Sequence, residues 1–176
     1  KAKGIKGFRF DVVNLISKPE VYEDDFAGDG RRFYTDGCHV GRYLKELVAA
    51  GGIDGMMTVG EMSSTTLENC IGYTSEKNHE LTMCFNFHHL KVDYKNGQKW
   101  ELMPPDHGAL KRLFQTWQEG MQEHGGWNAL FWCNHDQPRA VSRFGSDTTY
   151  WRESAEMLAT AIHCMRGTPY IYQGEE

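Results

Sequence analysis

Five short apolar runs, each ending in polar residues, set the pattern of this chain. They cover residues 7–14, 56–61, 81–88, 127–136 and 168–174. Each run has the length and residue types of a buried β-strand, so we expect polar side chains at its carboxyl end. Continuous apolar strands of this kind are typical of a parallel sheet that is covered on both faces.

Amphipathic helix patterns lie between the apolar runs. The first begins near Asp36, which we predict as its N-cap, and Gly51-Gly52 end it. The second begins near Asp106, and the third covers residues 154–165. Each pattern places large apolar side chains at helical spacing, so we expect these helix faces to contribute to the core.

Strands that alternate with helices fit either a doubly wound sheet or a (β/α)8 barrel. Polar residues follow nearly every strand, which is where a barrel carries its active site. The chain has no GxGxxG or GxxxxGK[ST] motif, which argues against a nucleotide-binding sheet. We therefore predict an α/β fold, namely an incomplete (β/α)8 TIM barrel that forms one partial catalytic domain over residues 1–176.

The two ends of the sequence suggest truncation. The chain begins with Lys1-Ala2-Lys3 and stops at Glu175-Glu176, directly after an apolar run. We expect a piece of a longer catalytic domain, truncated at both ends. A barrel without its first strands has open edges and an unfinished core, so we also expect this piece to be inactive alone.

Composition restricts the partners and the compartment. The formal net charge of −5 argues against a nucleic-acid partner, and no apolar run is long enough to cross a bilayer. Five cysteines at irregular spacings, without a CxxC pair, predict reduced thiols, mostly in the core of a cytoplasmic protein. The sequence predicts no metal site and no cofactor. The cysteines are Cys38, Cys70, Cys84, Cys133 and Cys164.

Three carboxylates, Asp11, Glu61 and Asp136, occupy the polar ends of predicted strands. A carboxylate in such a place is costly to bury unless it is paired. Arg9 lies two residues before Asp11 on the same side of the strand, and we expect this pairing to keep Asp11 ionised. Singly, each carboxylate fits a solvated acid at a strand end. Together they favour glycosidic cleavage, which needs an ionised nucleophile beside a general acid.

Four ordered motifs resemble the α-amylase family of glycoside hydrolases. They are GFRFDVVN at 7–14, VGE at 59–61, NHDQPR at 134–139 and GTPYIYQGEE at 167–176. These motifs are similar to strands four, five, seven and eight of the catalytic barrel in that family. Within the family they resemble the branch that contains oligo-1,6-glucosidases and trehalose-6-phosphate hydrolases.

The resemblance implies a role for each residue of the site. Asp11 would be the nucleophile and Glu61 the general acid/base of a retaining α-glucosidase, with their carboxyl oxygens about 5–5.5 Å apart. Asp136 would grip sugar hydroxyls and stabilise the transition state. His135 would hydrogen-bond the sugar, and Arg9 would orient Asp11.

Two further positions bear on the resemblance. Val12 resembles the branch that does not prefer α-1,4 bonds, but a β-branched residue is also common in any strand. After Asp36-Gly37 the family usually continues Pro-Arg-hydrophobic-His-Glu, whereas this chain has CHVGR at 38–42. Gly41 weakens the predicted helix start by up to about 1 kcal/mol.

The region at 85–100 resembles trehalose-6-phosphate hydrolases more than oligo-1,6-glucosidases. A phosphorylated disaccharide needs cationic hydrogen-bond donors near the mouth of the site. Lys91 and Lys99 flank an Asn96-Gly97 turn that could fold both toward one phosphate. The alternative is that both are solvated loop lysines.

The favoured function is hydrolysis of trehalose 6-phosphate, a small-molecule phosphorylated disaccharide, to glucose and glucose 6-phosphate. Oligo-1,6-glucosidase or dextran glucosidase activity remains the alternative within enzymes. A non-catalytic barrel relative typically lacks the catalytic carboxylates. A carbohydrate-binding module would not need Glu61.

Overall fold

Three parallel strands form the sheet of the first of two compact units. In the computed structural model, which describes residues 3–176, these strands are β1 (Gly7–Phe10), β2 (Met57–Glu61) and β3 (Met83–Phe85). β2 is central and pairs in parallel with both neighbours. The parallel arrangement confirms the prediction from the first three apolar runs. β2 and β3 are mostly buried, whereas β1 is only partly buried because it is an edge strand of this sheet.

Two short strands, β4 (Ala129–Leu130) and β5 (Thr168–Pro169), pair in parallel in the second unit. The sequence predicted longer strands here, at 127–136 and 168–174, and that extent is wrong. Beyond Leu130 the chain forms a loop in which side chains satisfy backbone groups. One example is the backbone N–H of Asp136, which donates to Oδ1 of Asn134 at 2.9 Å.

The helices match the predicted order. The first unit contains α1 (Val40–Gly51) and α2 (Leu67–Thr74). α3 (His107–Glu123) follows, and α4 (Ala140–Phe144) and α5 (Trp151–His163) lie in the second unit. The three predicted helices correspond to α1, α3 and α5. Their apolar faces contribute to the core, as α1 shows with the buried side chains of Val40, Leu44 and Val48.

Asp36 is not the N-cap of α1, although the sequence predicted that role. The cap position belongs to His39, which makes no side-chain capping hydrogen bond. Asp36 lies outside the helix at a φ of 51°. Its carboxylate accepts hydrogen bonds from Asn14 and from the phenol of Tyr73. These long-range donors hold the side chain away from the first turn of α1.

Gly41 lies in the first turn of α1, where a side chain would crowd the carboxylate of Glu80. A Cβ atom at this position would meet Oε1 of Glu80 at 2.7 Å. Glu80 is buried and lies 3.6 Å from the ammonium group of Lys45. Burial raises the pKa of Glu80, and Lys45 opposes that effect. The unusual glycine therefore makes room for a buried carboxylate.

All five cysteines are free, as the sequence predicted. Cys70, Cys84 and Cys133 are buried, whereas Cys38 and Cys164 are exposed. Over residues 3–176, none of the helices combines the length and the apolar character that crossing a membrane requires.

Candidate active site

The register of β1 and β2 brings Asp11 and Glu61 to neighbouring strand ends. Phe10 pairs with Gly60 in the parallel ladder, and Asp11 and Glu61 are the next residues along each chain. Glu61 also pairs with Phe85 of β3. Because parallel strands point the same way, both carboxylates lie at the carboxyl edge of this sheet.

Arg9 contacts both carboxylates. Its Nη1 lies 2.8 Å from Oδ1 of Asp11, and its Nη2 donates to Oε2 of Glu61. The contact with Asp11 was predicted from the spacing of the two residues. The contact with Glu61 was missed, because it depends on strand pairing between residues that are 52 positions apart. One planar guanidinium group therefore holds the two carboxylates side by side.

The two carboxylates have different surroundings. The side chain of Asp11 is 70% exposed, whereas that of Glu61 is 11% exposed. The open carboxylate of Asp11 is accessible to a substrate carbon, whereas that of Glu61 is enclosed and paired with Arg9. The accessibility of Asp11 is compatible with the nucleophile role that the family resemblance implies.

Val12 turns the chain sharply after Asp11. It has a φ of 40° and a ψ of 43°, in the left-handed region, and it precedes a short 3-10 helix at Val13–Leu15. A β-branched residue in this conformation is strained by roughly 1–3 kcal/mol. The interpretation of Val12 as an ordinary strand residue is wrong, since β1 ends at Phe10. Strain beside a reactive group is typical of functional sites.

His135 and Asp136 lie in the loop after β4, in the second unit. Both side chains are more than half exposed, and Nε2 of His135 lies 3.5 Å from Oδ2 of Asp136. Asn134 shapes this loop, because its Oδ1 accepts the backbone N–H of Asp136. His135 and Asp136 thus lie in contact, five and six residues beyond the end of β4 rather than at a strand end.

Cys133 anchors the base of the same loop. Its Sγ accepts the backbone N–H of Ala140 at 3.0 Å. Burial raises the pKa of this thiol to about 11, so it stays protonated near neutral pH. Arg139 anchors the far side of the loop, since its Nη1 donates to the carbonyl oxygen of Gln173 at 2.5 Å. Neither of these two contacts was predicted from the sequence, because both depend on the folded loop.

Arg143 of α4 joins two loops of the second unit. It makes a two-pronged ion pair with Asp93, with both N–O distances at 2.6 Å. It also donates to the carbonyl oxygen of Leu90 and to Oε1 of Gln137, the residue after Asp136. Burial lowers the pKa of Arg143, but the hydrogen bond and charge of Asp93 outweigh that effect and raise it. The role of Arg143 was not predicted from the sequence, because its contacts with Asp93 and Leu90 join residues 50 and 53 positions apart.

The two candidate phosphate-binding lysines lie around the predicted turn. Asn96 and Gly97 have φ values of 53° and 72°, as a tight Asn-Gly turn requires. Lys91 ends a 3-10 helix at His88–Lys91, and the ammonium group of Lys99 lies 5.0 Å from the ring centroid of Trp100. The turn is confirmed, and the shared phosphate contact stays a prediction.

Metal binding was not predicted, and residues 3–176 contain no cluster of three or more His, Cys, Asp or Glu side chains that could hold an ion. The first unit carries two carboxylates at the carboxyl edge of parallel strands, and Arg9 contacts both of them. A pair of carboxylates at this edge is compatible with glycosidic cleavage.

Comparison with known proteins identifies the family. The family described as Alpha amylase, catalytic domain, matches residues 1–176. The chain therefore belongs to the α-amylase family of glycoside hydrolases, which confirms the resemblance carried by the four motifs. The match covers both compact units.

Trehalose-6-phosphate hydrolases are among the relatives to which this chain is similar. The enzyme of Bacillus subtilis (strain 168) is 61% identical over 99% of this chain and 31% of its own length. That of Escherichia coli (strain K12) is 58% identical, over 99% of this chain and 32% of its own. The crystal structure of the Bacillus licheniformis enzyme is 59% identical with a TM-score of 0.93, covering 99% of this chain and 32% of that chain.

An oligo-1,6-glucosidase is less similar. The enzyme of Bacillus cereus is 47% identical over 99% of this chain and 32% of its own length. The chain spans about a third of the length of the relatives that it matches.

Proposed function

We propose that this chain is part of the catalytic (β/α)8 barrel of a retaining α-glucosidase that hydrolyses trehalose 6-phosphate. Two observations support the barrel. The strands of each unit pair in parallel, and the chain corresponds to about a third of relatives in the α-amylase family. The products would be glucose and glucose 6-phosphate.

The proposed reaction is a double displacement. A carboxylate oxygen of Asp11 attacks the anomeric carbon of the glucosyl unit, while Glu61 gives its proton to the bridging oxygen and the C–O bond breaks. Glucose 6-phosphate leaves with that proton. Glu61 then takes a proton from water, whose oxygen attacks the same carbon and releases Asp11 and glucose. The observation that carries this proposal is the guanidinium of Arg9, which holds both carboxylates at adjacent strand ends.

Asp136 and His135 would act on the sugar rather than on the bond that breaks. Both side chains are exposed and lie against each other, which leaves their polar atoms available to sugar hydroxyls. In this proposal Asp136 strengthens its hydrogen bonds as positive charge develops on the sugar ring. His135 binds a neighbouring hydroxyl.

Two observations favour trehalose 6-phosphate over an α-1,6-linked glucoside as substrate. Trehalose-6-phosphate hydrolases are 58–61% identical to this chain, against 47% for the oligo-1,6-glucosidase. Lys91 and Lys99 also follow β3, where they would supply cationic donors for a phosphate. Oligo-1,6-glucosidase activity is the alternative, and Val12 is compatible with either substrate.

The first experiment compares substrates in the full-length protein. We expect trehalose 6-phosphate to be preferred over trehalose and isomaltose in kcat/KM. The variant Lys91→Ala/Lys99→Ala should lose that preference, at least tenfold, while kcat on isomaltose stays unchanged. Lys111→Ala, which removes an exposed lysine from α3, is the matched control. A preference for isomaltose that does not change in the Lys91→Ala/Lys99→Ala variant would favour oligo-1,6-glucosidase activity instead.

The second experiment separates an enzyme from a binding module. Glu61→Gln keeps the shape of the side chain but cannot transfer a proton, so we expect kcat to fall roughly 100- to 10,000-fold. Binding of the substrate should persist in the same variant. Wild-type protein that binds the disaccharide without hydrolysing it would contradict the proposed reaction and favour a non-catalytic role.

A further inference from the structure

The side chain of Asn14 joins the loop after β1 to the loop after β2. Asn14 is fully buried. Its Nδ2 donates to the carbonyl oxygen of Ser63 at 2.8 Å, and its Oδ1 accepts the backbone N–H of Ser63 at 2.9 Å. Asn14 lies three residues after Asp11, and Ser63 lies two residues after Glu61. One amide group therefore connects the two segments that follow the proposed catalytic carboxylates.

Asp36 accepts the second hydrogen bond from the amide nitrogen of Asn14. Its Oδ1 accepts from Nδ2 of Asn14 at 3.0 Å and from the phenol of Tyr73 at 2.8 Å. Its backbone N–H donates to the carbonyl oxygen of Asn14 at 3.0 Å. Burial, with the hydrogen bond and charge of Asp36, raises the pKa of Tyr73 far above its usual range, so the phenol remains a donor. Both the nitrogen and the oxygen of the Asn14 amide thus have hydrogen-bond partners, as is usual for a buried polar group.

The position of this amide explains how the strained turn beside Asp11 persists. Val12 has a left-handed backbone and lies between Asp11 and Asn14. Such a conformation survives only where the surrounding structure holds it. A buried side chain with hydrogen bonds to Ser63 and Asp36 supplies that hold.

We propose that Asn14 is a positioning residue that fixes the spacing between the carboxyl groups of Asp11 and Glu61, with Asp36 and Tyr73 holding its amide. The inference rests on the proposed function of the two carboxyl groups. Retaining chemistry requires them about 5–5.5 Å apart. A misplacement of about 1 Å reduces the rate on the order of 100-fold.

The test uses Asn14→Asp in the full-length protein and compares two substrates. The change keeps the shape of the side chain but places an oxygen against the carbonyl of Ser63 and the carboxylate of Asp36. We expect kcat on trehalose 6-phosphate, whose leaving oxygen needs the proton of Glu61, to fall about 100-fold with little change in KM. On α-glucosyl fluoride, whose leaving group needs much less protonation, we expect a loss of about tenfold or less.

A matched control removes a pair of side-chain-to-backbone hydrogen bonds at the other end of β2. The hydroxyl of Thr82 accepts the backbone N–H of Thr58 at 2.8 Å and donates to the Thr58 carbonyl oxygen. Thr82→Val should lower the melting temperature without changing the ratio of the two turnover rates. The double variant Asn14→Asp/Asp36→Asn, which supplies a donor to the new carboxylate, should recover about tenfold of the lost turnover.

Equal losses on both substrates in Asn14→Asp, or the same change of ratio in Thr82→Val, would overturn the positioning role. If Asn14→Asp does not fold, Tyr73→Phe gives the same readout, because it removes only the phenol donor to Asp36; an unchanged ratio there would also overturn the role. Wild-type protein that hydrolyses neither substrate would overturn the proposed function itself. An active wild type with an unchanged ratio in the Asn14→Asp variant would overturn only the role of Asn14.

Discussion

Arg9 combines two contacts that a lysine cannot reproduce. Its two terminal nitrogens reach Asp11 and Glu61 separately, and the planar guanidinium fixes the angle between them. Its side chain is 39% exposed, so its charge is partly screened and adds little to stability. The value of Arg9 therefore lies in orientation.

Arg9→Lys is expected to lower kcat about 100-fold, because one ammonium group cannot hold both carboxylates in place. The melting temperature should change by no more than a degree or two. The measurement is kcat, KM and thermal unfolding of the full-length protein. Arg152→Lys, at an exposed helical pair with Glu156, should leave all three unchanged. Wild-type turnover in Arg9→Lys would remove Arg9 from the proposed site.

His89 should make stability depend on pH. It is buried against Phe114 and Phe131, and burial lowers its pKa to about 4. In the unfolded chain His89 binds a proton near pH 6.5, whereas in the folded protein it binds one only near pH 4. The contribution of His89 to stability is therefore complete above about pH 6.5 and is lost as the pH falls toward 4, by roughly 3 kcal/mol in total.

Denaturant unfolding between pH 7 and 4 measures this effect. His89→Gln, which does not titrate but keeps an amide donor for the carbonyl oxygen of Phe131, should show a shallower loss of stability with falling pH. Phe114→Leu disturbs the same packing without removing a titratable group, so its pH dependence should match the wild type. An identical slope in His89→Gln and wild type would show that other groups control acid sensitivity.

Two helical glycines, Gly41 and Gly72, differ in the space around their Cα atoms. In α1, a Cβ atom on Gly41 would meet the buried carboxylate of Glu80 at 2.7 Å, whereas Gly72 in α2 has open space around it. We expect Gly72→Ala to raise the free energy of unfolding by about 0.5–1 kcal/mol through helix propensity. Gly41→Ala should give no gain, because the contact with Glu80 cancels it. Equal stabilisation in both variants would contradict this account of Gly41.

Local patterns predicted the elements better than their ends. The five apolar runs each contain a parallel strand, because period and residue type are local properties. The start of α1 was placed too early, because Asp36 has a stronger set of partners in Asn14 and Tyr73. The strand at 127–136 was overextended, because the bonds of the Asn134 and Cys133 side chains to the loop backbone were not visible in the sequence.

In the candidate site, only the contact between residues close in sequence could be predicted. Arg9 and Asp11 lie two positions apart, so their pairing could be inferred from strand geometry. The contact of Arg9 with Glu61, and the amide of Asn14 on Ser63, both join residues about 50 positions apart. Such contacts depend on the parallel register of the strands, which the local patterns used for the prediction do not reveal.

Each compact unit has its own polar network behind the residues proposed for catalysis. In the first, the amide of Asn14 supports the loops that follow Asp11 and Glu61. In the second, Arg143 connects Asp93 with Gln137, the neighbour of Asp136. Asn14 in the first network and the Arg143–Asp93 pair in the second are buried and hydrogen-bonded, which suits groups that must fix a geometry.

Variants of the Arg143–Asp93 ion pair in the second unit can distinguish an effect on stability from an effect on turnover. The side chains of Arg143 and Asp93 are 7% and 3% exposed, so Arg143→Met leaves a buried carboxylate uncompensated and should cost about 3–5 kcal/mol. Arg143→Met/Asp93→Leu removes both charges and should recover most of that stability. Turnover should not recover, because Gln137 still lacks its partner beside Asp136 and the carbonyl of Leu90 still lacks its donor. Unfolding and kcat measured on both variants test this, and parallel recovery of the two quantities would mean that Arg143 acts through stability alone.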